Sequence, residues 1–207
     1  MSEACEKLSA LRRKNALVLT EQLKQALIHL NFASVEFEVA VRPGQTITAN
    51  GYDDVEFLIS TNPGESLKPL GSVASGGELS RIMLAIKTVL AGQDDIDTLI
   101  FDEIDAGISG KTAWKVSEKL GVLSDAHQVI CITHLPQIAA MADSHFVIEK
   151  QTDGISTMTD IRRLESDGIL EELARLLGTD ALSAAAIQNA RDIKEQAQKL
   201  KIEKKHS

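Results

Sequence analysis

Two short, unbroken apolar runs constrain this chain most: Asp97 to Phe101 (DTLIF) and Gln128 to Thr133 (QVICIT). A strand that shows one face to water alternates apolar and polar residues, whereas a run without alternation suits a strand covered on both faces. Between them, residues 111–123 carry apolar positions at helical spacing. The order strand, helix, strand is the rhythm of a parallel α/β sheet. That inference also says where chemistry belongs, because ligands of open α/β sheets bind at the carboxyl ends of the strands.

Both runs end in residues that do chemistry. DTLIF passes directly into Asp102-Glu103, and QVICIT ends in Thr133-His134. Two carboxylates at the carboxyl end of a buried strand are costly unless something positive joins them. Magnesium on a nucleotide phosphate would do so, with the second carboxylate orienting a water. The plainer alternative for Asp102-Glu103 is an acidic loop, and for His134 a structural histidine. Upstream, Val73 to Arg81 reads VASGGELSR, a glycine pair opening a helix whose apolar stripe is Leu79, Ile82, Met83, Ile86, Val89 and Leu90. Bare N–H groups at a helix start attract anions, although Ser75 could equally be an ordinary N-cap. Ser75 precedes Asp102 by 27 positions and Glu103 precedes His134 by 31, each enough for one helical crossover.

The remaining chain fills in around this centre. Residues 3–31 lack proline and glycine and form one long amphipathic helix. VEFEVAV (35–41) alternates as a strand with one wet face, Arg42-Pro43-Gly44 breaks it, and DVEFLIS (54–60) is a second strand. Beyond His134 a short helix (136–141), strands at 145–150 and 155–164, and helices near 168–177 and 180–203 complete the reading. With aromatics at only 3%, the core must be aliphatic; a formal net charge of −8 argues against a generally basic nucleic-acid surface. The basic clusters Arg12-Arg13-Lys14, Arg162-Arg163 and Lys204-Lys205 read as solvated faces. Cys5 and Cys131 suit unpaired thiols in a reducing compartment, and no apolar run reaches membrane-spanning length. These features point to a soluble intracellular chain.

The motifs SGGE, LIFDE and the ITH strand end resemble the signature loop, Walker B strand and switch histidine of ABC-type ATPase heads. Within that superfamily, VASGGELSRIMLAIK, TLIFDEIDAGISG and VICITHLPQIAAMAD closely resemble the RecN family of bacterial DNA-repair ATPases, relatives of the SMC proteins; EFLISTNPGE and EELARLLG extend the likeness. The resemblance implies the parallel-sheet C-terminal half of an SMC-type head. Residues 1–31 would end a descending coiled coil and 32–207 would form the lobe. Ser75, Gly76, Gly77 and Glu78 would meet the γ-phosphate of ATP held on a partner head. Asp102 would hold Mg²⁺ through water, Glu103 would polarise the attacking water and His134 would sense the γ-phosphate. Ala106 to Gly110 would be the D-loop, with Ser109 where many ABC proteins carry aspartate. The implied partners are an N-terminal Walker A lobe, a second head, DNA and the recombinase RecA, in a cytoplasmic, nucleoid-associated setting with no membrane.

No G-x-x-x-x-G-K-[ST] occurs in the sequence. Gly110-Lys111-Thr112 comes nearest, but Asp105 stands where the motif needs glycine. Without the phosphate cradle the chain carries half an ATP site and is expected to be inactive alone. A transporter nucleotide-binding domain would keep its Walker A on the same compact chain, which counts against that alternative. A non-catalytic lobe that docks on an intact head stays compatible with the residues.

Overall fold

The computed structural model describes residues 2–73, 75–91, 93, 95–152, 157–178 and 183–204. Ala74 of the glycine-bearing stretch, the expected strand start at Ile155, the expected helix start at residue 180, and Lys205 lie outside them. The chain divides into two compact units, Met1–Asp97 and Thr98–Ser207.

In the first unit, α1 (Ser2–His29) is the expected long helix, and it packs on β1 (Glu36–Thr48) and α2 (Gly76–Val89). Its buried positions Cys5, Ser9, Ala16, Leu23 and Leu27 recur at helical spacing, which turns one stripe of the helix inward. β1 pairs antiparallel with β2 (Gly51–Ser60), and β2 pairs with the two-residue β3 (Lys68–Pro69). The Phe37 and Phe57 rings pack tilted, 5.7 Å apart. Helix and hairpin are pinned together at Asp53, whose carboxylate accepts from the Ser9 hydroxyl and, at 2.8 Å, from Arg12. These two donors hold the Asp53 carboxyl below its ordinary range.

The sequence suggested a strand break at Arg42-Pro43-Gly44, yet β1 runs through it. β1 is an edge strand, so the N–H that proline lacks is not needed on its open side. The ladder answers instead with a register shift between Pro43 and Thr48.

The second unit opens with the anticipated crossover. β4 (Thr98–Phe101) and β5 (Gln128–Cys131) pair parallel from Thr98↔Gln128 to Phe101↔Cys131, joined by α3 (Gly110–Leu123). One expectation is corrected here. Leu99 and Phe101 are buried, but Ile100 is 68% exposed, Ile130 44% and Ile132 50%. Only one face of this two-stranded sheet is covered, because a continuous apolar run declares a need for cover on both faces and cannot provide it. After α4 (Pro136–Ala140), the hairpin β6 (His145–Thr152) and β7 (Thr157–Leu164) leads to α5 (Ser166–Leu176) and α6 (Ala184–Lys204). Ala140, Met141, Leu173, Ala174, Ala186, Ala190 and Ala197 form a small-residue core, with Trp114 packed against it. Close approach of helices at alanine explains how so few aromatics suffice. Lys194 of α6 donates to the carbonyls of Ala140 (2.9 Å) and Ala142 (3.1 Å), capping the end of α4. Among the described residues no helix is long and apolar enough to cross a membrane.

Candidate nucleotide-phosphate site

The parallel pair delivers its chemistry at one edge. The ladder continues past β5, with the amide of Ile132 donating to the Phe101 carbonyl at 3.0 Å. Asp102-Glu103 and Thr133-His134 therefore leave neighbouring strands side by side. The Cys131 thiol registers this closeness: burial, followed by the negative charges of Asp105 and Asp102, pushes its pKa up to about 12.

Asp102 and Glu103 are exposed at this edge, and Asp102 Oδ1 accepts from the amide of Glu103 at 2.9 Å. Glu103 sits at φ 55°, a left-handed conformation that non-glycine residues rarely hold. The turn is locked from behind by the fully buried Ile104 and by the Ala106 amide, which donates to the Glu103 carbonyl at 3.0 Å. Such strain in a side chain held toward solvent is typical of functional positions. Next come Gly107 at φ +73° and Gly110 at φ +47°, with open space where a Cβ would stand. Glycine is needed here for backbone conformation. Ser109 is the N-cap residue of α3, without a side-chain cap hydrogen bond.

The residue that organises the edge is one the sequence reading passed over. Asp105 is 4% exposed, and its Oδ2 accepts from the Thr133 hydroxyl and from the His134 amide at 2.7 Å. His134 Nδ1 lies 3.0 Å from the same oxygen, while the His134 side chain is 70% exposed. The available signal was a third acid set between Ile104 and Ala106, too apolar a setting for a merely solvated carboxylate.

Ser75, Gly76, Gly77 and Glu78 belong to the first unit, at the start of α2. Ser75 is the N-cap and accepts from the Glu78 amide at a long 3.4 Å. Both glycines are helical, a conformation that does not call for glycine, so their effect is to leave the helix start bare of side chains. Three arginines of the basic clusters are engaged in their own surroundings. Arg12 is bound to Asp53 and the Asn50 carbonyl, Arg162 lies 3.5 Å from Glu149, and Arg163 donates to Ser144 at 3.4 Å. Among the described residues, no group of three or more His, Cys, Asp or Glu gathers as a metal site.

Comparison with known proteins shows what the chain is similar to. The DNA repair protein RecN of Halalkalibacterium halodurans is 40% identical over 198 residues, covering 94% of this chain and 35% of the relative. RecN of Treponema pallidum is 44% identical over 192 residues, covering 90% and 34%. The chain is RecN-like. RecN of Deinococcus radiodurans, 43% identical over 186 residues, covers 90% of this chain and 32% of the relative. The chain thus spans about a third of the length of the RecN proteins it matches. No family model matches it. Among solved structures, the Smc head domain with a coiled coil and joint from Pyrococcus yayanosii aligns with a TM-score of 0.56 at 19% identity, over 80% of this chain and 30% of that one. A structure described under ATP-driven dimerization and DNA-stimulated activation of SMC ATPases aligns at 0.50 and 17% identity, over 84% of this chain and 99% of the other. These likenesses show the fold: the α/β architecture of an SMC-type ATPase head.

Proposed function

We propose that this chain forms the C-terminal half of a RecN-like, SMC-type ATPase head acting in DNA double-strand break repair and recombination. The observation that carries the reading is the convergence of Asp102, Glu103 and His134 on one edge of a parallel strand pair, with His134 tied to the buried Asp105. In this reading Asp102 holds a water-coordinated Mg²⁺, Glu103 orients and polarises the attacking water, and His134 contacts the γ-phosphate. Mg²⁺ bound with ATP would neutralise charge on the phosphates. Ser75, Gly76, Gly77 and Glu78 would present the start of α2 to ATP held on a second head, and Ser109 would lie in the D-loop between the heads.

The missing phosphate cradle would come from an N-terminal Walker A lobe of the same protein. The open isoleucine face of β4 and β5 supports this, since a two-stranded parallel sheet with one bare face calls for further structure. Residues 1–31 would end the descending coiled coil and 32–207 the lobe; Leu11, Leu17 and Val18 on α1 remain exposed for a neighbouring helix. DNA would be the larger assembly's substrate, with a recombinase such as RecA downstream, in the cytoplasm and on the nucleoid. The test is complementation. The chain should be inactive alone, hydrolyse ATP when mixed with the Walker A lobe, and lose that activity with Glu103→Gln. An active Glu103→Gln mixture would overturn the assignment of the base.

A further inference from the structure

We propose that Asp105 is a positioning residue that fixes the imidazole of His134 as its Nδ1–H form and turns Nε2 outward from the sheet edge. Oδ2 of the buried Asp105 already accepts from the Thr133 hydroxyl and the His134 amide. With both of those protons pointing at one oxygen, the short contact to Nδ1 at 3.0 Å is made by a proton on the nitrogen. Two hydrogen bonds from consecutive residues converge on this oxygen, and the ring's Nδ1 lies 3.0 Å from it, so the carboxylate holds the backbone and faces the ring nitrogen at once. The rotamer and the tautomer are then set by a group that touches no ligand, as an orienting carboxylate does behind a working histidine.

The consequence for chemistry is specific. On a neutral ring of this form Nε2 carries a lone pair, so it accepts a hydrogen bond from a water or hydroxyl. To donate to an anionic phosphate oxygen, Nε2 must first take a proton from solvent, giving an imidazolium whose charge faces Asp105. This second step rests on the function proposed above; the tautomer does not.

Two arms keep them distinguishable. Long-range ¹H–¹⁵N correlation on the labelled chain at mildly alkaline pH, with His134 signals identified by their loss in His134→Gln, should show the proton on Nδ1 and a bare Nε2. Asp105→Asn should shift the population toward Nε2–H, and Thr133→Val, which spares the carboxylate, should keep the wild-type form. A proton on Nε2 in the wild type, or the same wild-type spectrum in a folded Asp105→Asn, overturns the assignment; the wild-type and Thr133→Val spectra decide it even if Asp105→Asn fails to fold. With the Walker A lobe added, Asp105→Asn should lower turnover on the order of tenfold or more with little change in KM for ATP. Unchanged turnover alongside a shifted tautomer would remove His134 from the proposed reaction and leave the positioning role of Asp105 standing.

Discussion

Lowering the pH from 7 to 5 should destabilise the second unit through one buried histidine. His145, the first residue of β6, is 6% exposed. Burial, then the positive charge of Lys194, lowers its pKa from 6.5 to about 4; Lys201 acts in the same direction, and the Ala142 carbonyl and Glu172 oppose it. Among the described residues Nε2 has no partner, so protonation would bury a charge with none of them to receive the new N–H. The folded state therefore binds fewer protons than the unfolded chain between these two values. Stability is fully present above pH 6.5 and is lost as pH falls toward 4. Between pH 7 and 5 the loss from this group alone is about 2 kcal/mol. The sole tryptophan, Trp114, packs on the core of the same unit and provides the probe. Urea unfolding followed by its fluorescence should show that loss in the wild type and little of it in His145→Leu, since leucine fills the site without titrating. Equal pH slopes in the two proteins would refute the reasoning.

Glu103→Gly should raise the stability of the isolated chain by about 1 kcal/mol, because the residue no longer holds φ 55° against its own Cβ; denaturant midpoints measure it, and no gain would mean the turn carries no strain. Ser75→Ala should cost only about 0.5 kcal/mol, at the low end for an N-cap, since the cap hydrogen bond is long at 3.4 Å. The Cys131 thiol, with its pKa near 12, should resist alkylation at mildly alkaline pH until the chain unfolds, as mass spectrometry of its peptide would show. Calorimetry with Mg-ATP on the chain alone should show no tight binding, and micromolar affinity would point to a phosphate loop outside the motifs recognised here.

Periodicity and strand-end chemistry made much of this legible. The unbroken runs located β4 and β5 within two residues, because local apolar pattern and tertiary position agree there. Pro43 misled for the opposite reason: whether a proline breaks a strand depends on which side of the sheet is open, which is decided by pairing partners far along the chain. The bare face at Ile100, Ile130 and Ile132 could not be read either, since an apolar run records what a strand requires and not what this chain brings to it. At the site, Asp102, Glu103 and His134 announced themselves by standing at strand ends. Asp105 did not, because its role exists only through the register that sets Thr133 and His134 beside it, 28 and 29 residues later.

The central claim is that one chain contributes both the hydrolytic edge and the helix start that closes over a second nucleotide. Light scattering with Mg-ATP, on the head completed with its Walker A lobe and carrying Glu103→Gln to suppress turnover, tests both halves together. The account predicts ATP-dependent dimers that are lost on adding Ser75→Arg, with ATP binding to each single head retained. Dimers that persist with Ser75→Arg at the same ATP concentration would contradict it and leave VASGGELSR as a helix start only.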